Sequence, residues 1–227
     1  MTYKYFPSCN FTKASPQTSK ALQKYLAEAH GIKSIGCCRP GHKKLEEGDR
    51  ALTICLSCSA IVTENTACQD TSIFQFLSED KDFPWPDYHG EEIALQDCWR
   101  ARGKHELHQA VRSILEKMNM RVAELEESRD ASQYCGVFRF NPMREDNIRL
   151  APRYFADGMK GQLTLYTEKQ QRALMEENAK RYHTSRVAVY CNSCLRGLLQ
   201  GGARGVHVME LMFPEAAVLD QERREKH

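Results

Sequence analysis

The ten cysteines of this 227-residue chain recur in a repeated order. Cys9 comes first, then the adjacent pair Cys37-Cys38, then Cys55-Leu-Ser-Cys58. The second half brings Cys98, then Cys135, then Cys191-Asn-Ser-Cys194, and only Cys68 stands apart. Isolated core cysteines behave as small hydrophobes and have no reason to recur in sequence. Spaced thiols that repeat require the fold to gather distant segments twice, around something that binds sulfur.

The segments between the cysteines alternate between strand and helix patterns. Tyr3 to Phe6 reads as a strand, and Ser15-Pro16 reads as a helix start with proline at the first position. Ala21, Leu22, Tyr25, Leu26 and Ala29 form its apolar stripe, and Gly31 stops it. Short strands follow over 32–35 and 52–54, a helix over 57–67, and a closing strand over 72–77. The proline- and glycine-bearing stretch 81–92 reads as a linker. The second half repeats the order: a strand over 93–96, a helix over 105–118, a strand over 121–125, a helix over 168–182, a strand over 187–190 and a helix through Leu199. Val206 to Phe213 reads as its closing strand, and the tail from Glu222 to His227 as frayed.

The expected fold is therefore α/β, with two pseudo-repeated, mainly parallel sheets and flanking helices. The expected modules are 1–80 and 93–227, joined by 81–92. In open parallel sheets, ligands collect beyond the carboxyl ends of the strands. Cys37, Cys55, Cys98 and Cys191 each follow such an end directly, so each sheet would carry a cysteine site at one edge.

Composition narrows the function. A chain this long can bury a real core, so its cysteines are not needed as disulfide staples. The opening Met1-Thr-Tyr-Lys-Tyr-Phe-Pro does not read as a signal peptide, and no apolar run reaches the roughly 20 residues of a membrane span. A cytoplasmic location, with reduced thiols, is expected. Thirty-two basic residues are interspersed with 30 acidic ones, which offers no basic footprint for nucleic acid. No GxGxxG or flavin signature is present, so electrons for any redox reaction would come from a separate protein.

Cys-x-x-Cys at a helix start points two thiolates at one centre, and the helix N-terminus favours their charge. The motif serves zinc, iron–sulfur or dithiol chemistry alike. The first set has one cysteine more than the four of a structural zinc site, whereas the second has four, which suits a cluster or zinc equally. His42 and Lys43 read either as proton donors or anion binders beside the cysteine pair or as exposed turn residues, the latter being favoured. His105 and His108 read as surface histidines, and Cys68 as a buried structural cysteine.

Tyr5-Phe-Pro-Ser-Cys9, Gly36-Cys37-Cys38, Cys55-Leu-Ser-Cys58, Asp97-Cys98, Tyr134-Cys135-Gly136 and Cys191-Asn-Ser-Cys194 together resemble the duplicated cysteine-rich CCG-domain family, typified by the catalytic subunit of heterodisulfide reductase. The resemblance implies that Cys9, Cys37, Cys38, Cys55 and Cys58 hold a [4Fe-4S] cluster, cubane or non-cubane. It implies a second [4Fe-4S] cluster or zinc on Cys98, Cys135, Cys191 and Cys194. It further implies electron transfer to a disulfide, thiol or similar substrate from a flavoprotein or a ferredoxin-like iron–sulfur subunit. Arg39 stands where the family has glycine, and Tyr134 replaces the first cysteine of the second pair. The alternative expectation is a non-enzymatic protein with structural or regulatory metal sites. A thioredoxin-like dithiol oxidoreductase, for which one Cys-x-x-Cys would suffice, is a third.

Overall fold

The structure, a computed structural model, describes residues 2–225. In chain order it begins with β1 (Thr2–Phe6), α1 (Cys9–Ala14), α2 (Pro16–His30), β2 (Lys33–Ser34), α3 (Cys38–Gly41), β3 (Asp49–Thr53), α4 (Leu56–Asn65), β4 (Gln69–Ser72) and α5 (Ile73–Ser78). The second series is β5 (Glu92–Leu95), α6 (His105–Lys117), β6 (Arg121–Glu124), α7 (Glu145–Leu150), α8 (Glu168–Ala179), β7 (Val187–Val189), α9 (Asn192–Gln200), β8 (Gly205–His207), α10 (Val208–Met212) and α11 (Pro214–Glu225).

Two four-stranded, all-parallel sheets result, ordered β2-β1-β3-β4 and β6-β5-β7-β8. Each order is the other shifted by four strands, so the repeat in the cysteines is a repeat in the fold. The α/β class expected from the sequence is the observed one. In both sheets the chain runs outward from its first strand in opposite directions. That reversal opens a crevice at the carboxyl ends of adjacent strands, where α/β proteins place their ligands.

Local sequence explains most of the elements. Tyr5 and Phe6 end β1 fully buried, and α2 buries Leu22 and Leu26 before Gly31 ends it in a left-handed conformation, φ 65°. α6 buries Leu107, Val111, Ile114 and Leu115 on one face.

Both closing strands end sooner than expected. Ile73–Ser78 and Val208–Met212 are short buried helices, and the strands before them cover only Gln69–Ser72 and Gly205–His207. A short apolar run carries no period that separates a buried strand from a buried helix. Here the same ambiguity occurs at the same place in both repeats. The tail is helical to Glu225, and Lys226 and His227 lie outside the described residues.

The chain divides into two compact units that are not contiguous. One comprises 1–76, 143–161 and 213–227; the other comprises 77–142 and 162–212. The split expected at 81–92 is therefore replaced by an exchange of segments, and residues 81–92 belong to the second unit. In that unit Tyr88 donates to the Leu211 carbonyl at 2.9 Å, and the Lys117 ammonium lies 5.2 Å from the Trp85 ring centre. In the first unit, the insertion at 143–161 packs α7 against α3 and α4. The Glu64 carboxylate accepts from the Arg153 and Tyr154 amides at 3.0 and 2.8 Å.

α11 docks through the buried Asp220, with Arg223 and Arg224 donating to the Lys13 and Ala14 carbonyls and the Ser15 hydroxyl. Asp220 accepts from the Gln17 and Thr18 amides at 2.9 Å each and from the Thr18 hydroxyl at 2.7 Å. Those amides open α2, whose adjacent Ser15 makes no side-chain cap, so Asp220 caps the helix from about 200 residues away in sequence. Asp220→Ala should lower stability by about 1–2 kcal/mol, the usual cost of a lost cap. Urea unfolding with tryptophan fluorescence and far-ultraviolet circular dichroism would measure it. A change within a few tenths of a kcal/mol would mean that α11 is held elsewhere.

Candidate metal centres

In the first unit the thiols sit at the carboxyl ends of three adjacent strands. After β1, Pro7 and Ser8 lead into Cys9, the first residue of α1; Ser8 has φ 59° and accepts the Phe11 amide. After β2, Gly36 turns the chain at φ 91° and presents Cys37 and Cys38 at the start of α3. After β3, Cys55 occupies the N-cap of α4 in extended conformation, and Cys58 lies in its first turn. Cys55 makes no side-chain cap hydrogen bond, so no side chain at that position satisfies the first amides of the helix.

These five thiols form one electrostatic group. Cys58 donates to Cys38, which raises the Cys58 pKa well above its usual value and lowers that of Cys38. Cys55 also hydrogen-bonds Cys58. Cys9 is raised by partial burial of its thiol and then by Cys37, with Cys38 and Cys55 adding to the effect and Arg39 opposing it. Cys9 is exposed, Cys37 and Cys55 are half-buried, and Cys38 and Cys58 are buried, so the group opens to solvent on one side.

Behind it, Tyr5 is fully buried and its hydroxyl has no hydrogen-bond partner. Burial, then Cys58 and Cys55, push its pKa well up, so the phenol remains a protonated donor beside the thiols. A buried donor without an acceptor is costly. Bound sulfur-rich, negatively charged material would accept it, and in this respect the residues fit a cluster.

The second unit builds the corresponding site from Cys98 after β5 and from Cys191 and Cys194 at the start of α9. These three thiols lie within 4.8 Å of one another and are all buried. Hydrogen bonds from Cys194 and then Cys98, with the Arg100 guanidinium, hold Cys191 well below its usual pKa. Cys98 is raised by its bond to Cys191, and Cys194 chiefly by burial. Arg100 donates to the Cys191 sulfur at 3.1 Å while stacking 3.8 Å above the Phe138 ring. It is therefore part of the site itself.

Cys135 is not in that three-thiol group. It is buried, 3.7 Å from the Gly136 carbonyl, and burial raises its pKa. The Tyr134 hydroxyl donates to the Cys194 carbonyl at 3.3 Å and lies 3.6 Å from the Met175 thioether, and it bonds no cysteine thiol. Gly136 is required here: it has φ 57°, and a Cβ would fall 1.9 Å from the Ser193 carbonyl oxygen. The Tyr134-Cys135-Gly136 segment is thus pressed against the start of α9.

A buried polar network supports Cys98 from behind. Asp97, fully buried, pairs with Arg112 at 2.7 Å and accepts from the Tyr190 hydroxyl at 3.0 Å and the Arg129 amide at 2.7 Å. The Tyr190 oxygen in turn accepts the Cys98 amide at 3.1 Å. Sequence reasoning had no signal for Arg112 or Tyr190, since both lie on predicted elements far from Asp97 in the chain.

Three other expectations change. His42 is buried rather than exposed, with Nδ1 3.0 Å from the Cys38 carbonyl. It lines an open depression, together with the exposed Lys43 and Glu46 and with Asp49 and Cys68, at the amino end of β3, the end of that strand away from Cys55. Cys68 is half-buried, its thiol 3.4 Å from the Glu46 carbonyl, and His108 is buried rather than on the surface.

The fold and sites define an α/β protein with two cysteine-lined sheet edges. No protein-family model matches the chain, and no curated protein does. Among solved structures it is similar to PH1733, an aspartate racemase homologue from Pyrococcus horikoshii OT3, at 11% identity and a TM-score of 0.32 over 97% of this chain and 99% of that one. A likeness this weak carries no argument. Among the described residues, no helix is long and apolar enough to cross a membrane.

Arg112→Met should cost about 3–5 kcal/mol, because it leaves the Asp97 carboxylate buried without its cation. Burial alone would raise the Asp97 pKa, but Arg112 and the Arg129 amide outweigh it and lower the net value. Wild-type stability from this group is therefore present above the unfolded carboxylate pKa of about 3.9 and lost as pH falls through the lower folded value. In the variant the folded pKa lies above the unfolded one, so the sign reverses. The stability gap between the two proteins should narrow as pH is lowered from 7 towards 4 in chemical unfolding; a constant gap would exclude Asp97 as its source.

Proposed function

We propose that this is an iron–sulfur redox protein. It would carry a [4Fe-4S] cluster, cubane or non-cubane, on Cys9, Cys37, Cys38, Cys55 and Cys58, and pass electrons to a disulfide, thiol or similar substrate. The observation that carries this reading is the placement of five thiols just after three adjacent strands, at the carboxyl edge of one parallel sheet and beside the orphaned Tyr5 hydroxyl. Five cysteines exceed what a tetrahedral ion needs, and thiolates are the standard ligands of iron–sulfur clusters.

The bound cluster would supply one-electron transfer. The protein's own part is positional. Cys38 and Cys58 would anchor a cluster from the buried side, the unpartnered Tyr5 hydroxyl would donate to it, and the exposed side at Cys9 would admit substrate. Reduction of a disulfide takes two electrons and two protons and releases two thiols. A flavoprotein or a ferredoxin-like iron–sulfur subunit would deliver the electrons, in the cytoplasm.

One observation favours a second reading for the other unit, in which the metal is structural. Thiols within 4.8 Å of one another suit a single ion, since zinc–sulfur bonds of about 2.3 Å set tetrahedral sulfur–sulfur edges near 3.8 Å. A four-iron cluster spreads its thiolates over separate irons and holds them farther apart. If the first site also held only such an ion, the protein would be a non-enzymatic metal-binding one.

Anaerobic purification with iron and sulfide assays tests the first reading, and roughly four irons or more per chain is expected. Cys38→Ser should abolish or convert the cluster's optical and paramagnetic signals while far-ultraviolet circular dichroism stays unchanged. Signals indifferent to both Cys37 and Cys38 would remove the five-cysteine assignment.

For the second site, metal binding is folding free energy, because its ligands come from separate segments. Cys194→Ser should lower the melting temperature and release zinc, and should reduce turnover less in the molecules that stay folded. Wild-type melting combined with complete loss of activity would exchange the roles of the two sites.

A further inference from the structure

His105 and His108 stand one turn apart at the start of α6, and Asp130 reaches them from the segment after β6. One ligand atom from each lies within 4.8 Å of the other two. His105 Nδ1 is 3.5 Å and His108 Nδ1 is 3.8 Å from the Asp130 carboxylate oxygens. The His108 contact is too long for a hydrogen bond: its side chain is 1% exposed, and neither ring nitrogen has a hydrogen-bond partner. A buried imidazole with both nitrogens idle calls for a missing partner.

The spacing suggests what that partner is. Metal–nitrogen and metal–oxygen bonds of about 2.0–2.2 Å at a tetrahedral centre put neighbouring ligand atoms roughly 3.4 Å apart. The 3.5 Å between His105 Nδ1 and Asp130 Oδ2 is close to that edge, and His108 Nδ1 lies 3.8 Å from the other oxygen, Oδ1. Asp130 is also pre-positioned, since Oδ1 accepts the Gly103 amide at 2.9 Å. The His105 and Asp130 side chains are 69% and 44% exposed, leaving an entry path and room for a water as fourth ligand. The positive N-terminal end of α6 opposes a cation, and the Asp130 carboxylate offsets that effect.

We propose that His105, His108 and Asp130 form a third metal site, which takes a first-row divalent ion of the zinc class through two imidazoles and one carboxylate. Its donors are nitrogen and oxygen, so it selects differently from the cysteine sites, whose soft thiolates favour other ions or clusters. It is independent of the iron–sulfur reading: neither requires the other.

The test is zinc titration of the full-length, reduced protein, followed by long-range proton–nitrogen spectra of the histidine rings. These spectra report each imidazole separately, whatever the cysteines bind. The His105 and His108 Nδ1 resonances should move together to a saturating end point. His105→Ala and Asp130→Asn remove exposed ligand groups and spare the buried ring. Each should raise the zinc concentration needed to move the remaining His108 signal by roughly tenfold or more. His108 resonances that stay put while the cysteine sites fill would overturn the proposal. So would variants that bind zinc as the wild type does.

Discussion

The parallel ladders around β1 and β5 are the constraint on which both sites depend. Each of these strands is paired on both sides, β1 with β2 and β3, β5 with β6 and β7. Parallel pairing aligns carboxyl ends, so the loops leaving three neighbouring strands emerge side by side. Cysteines separated by tens of residues in sequence then need no further device to meet. The register Phe6↔Thr53 brings the exits towards Cys9 and Cys55 together, and Leu95↔Ala188 does the same for Cys98 and Cys191. Helices starting at Cys55 and Cys191 add free amides where thiolate charge collects.

The two edges share this plan and differ in their walls. Around the first, Cys9 is exposed and Arg39, which faces Cys9 and Cys38 electrostatically, is tied to Asn147 of α7 at 3.1 Å. The second is sealed by Arg100, by Phe138 beneath it and by the Tyr134-Cys135-Gly136 segment. Tyr134 acts there as a packing residue, its hydroxyl placed between the Cys194 carbonyl and the Met175 thioether. An open edge suits exchange with a substrate, whereas a sealed one suits a permanently held ion.

Behind the sealed edge, charge is neutralised in layers. Arg100 faces the Cys191 sulfur, while Arg112 faces Asp97 and Glu124. Tyr190 connects the layers by accepting from the Cys98 amide and donating to Asp97. Such a network is stabilising only when every member is satisfied, which makes its integrity a condition for presenting Cys98.

Much of this was legible from residue order. Alternating strand and helix patterns between repeated cysteines identified the α/β class, the duplication and the edge on which Cys9, Cys37, Cys55, Cys98 and Cys191 emerge. Gly31 and the Ser15-Pro16 start marked α2, and the stripe of Leu107, Val111, Ile114 and Leu115 marked α6. Local chemistry suffices for these because each depends on neighbours a few residues away. The apolar runs 72–77 and 206–213 read as strands but are mostly short helices, since periodicity does not separate a short buried helix from a buried strand. What only the tertiary structure decided depends on long-range contacts. The exchange of 143–161 and 213–227 into the first unit, the capping of α2 by Asp220, the separation of Cys135 from its fellow cysteines and the burial of His108 beside Asp130 all follow from surfaces meeting across the fold. No local pattern encodes such meetings, because burial is a property of the partner surface as much as of the residue itself.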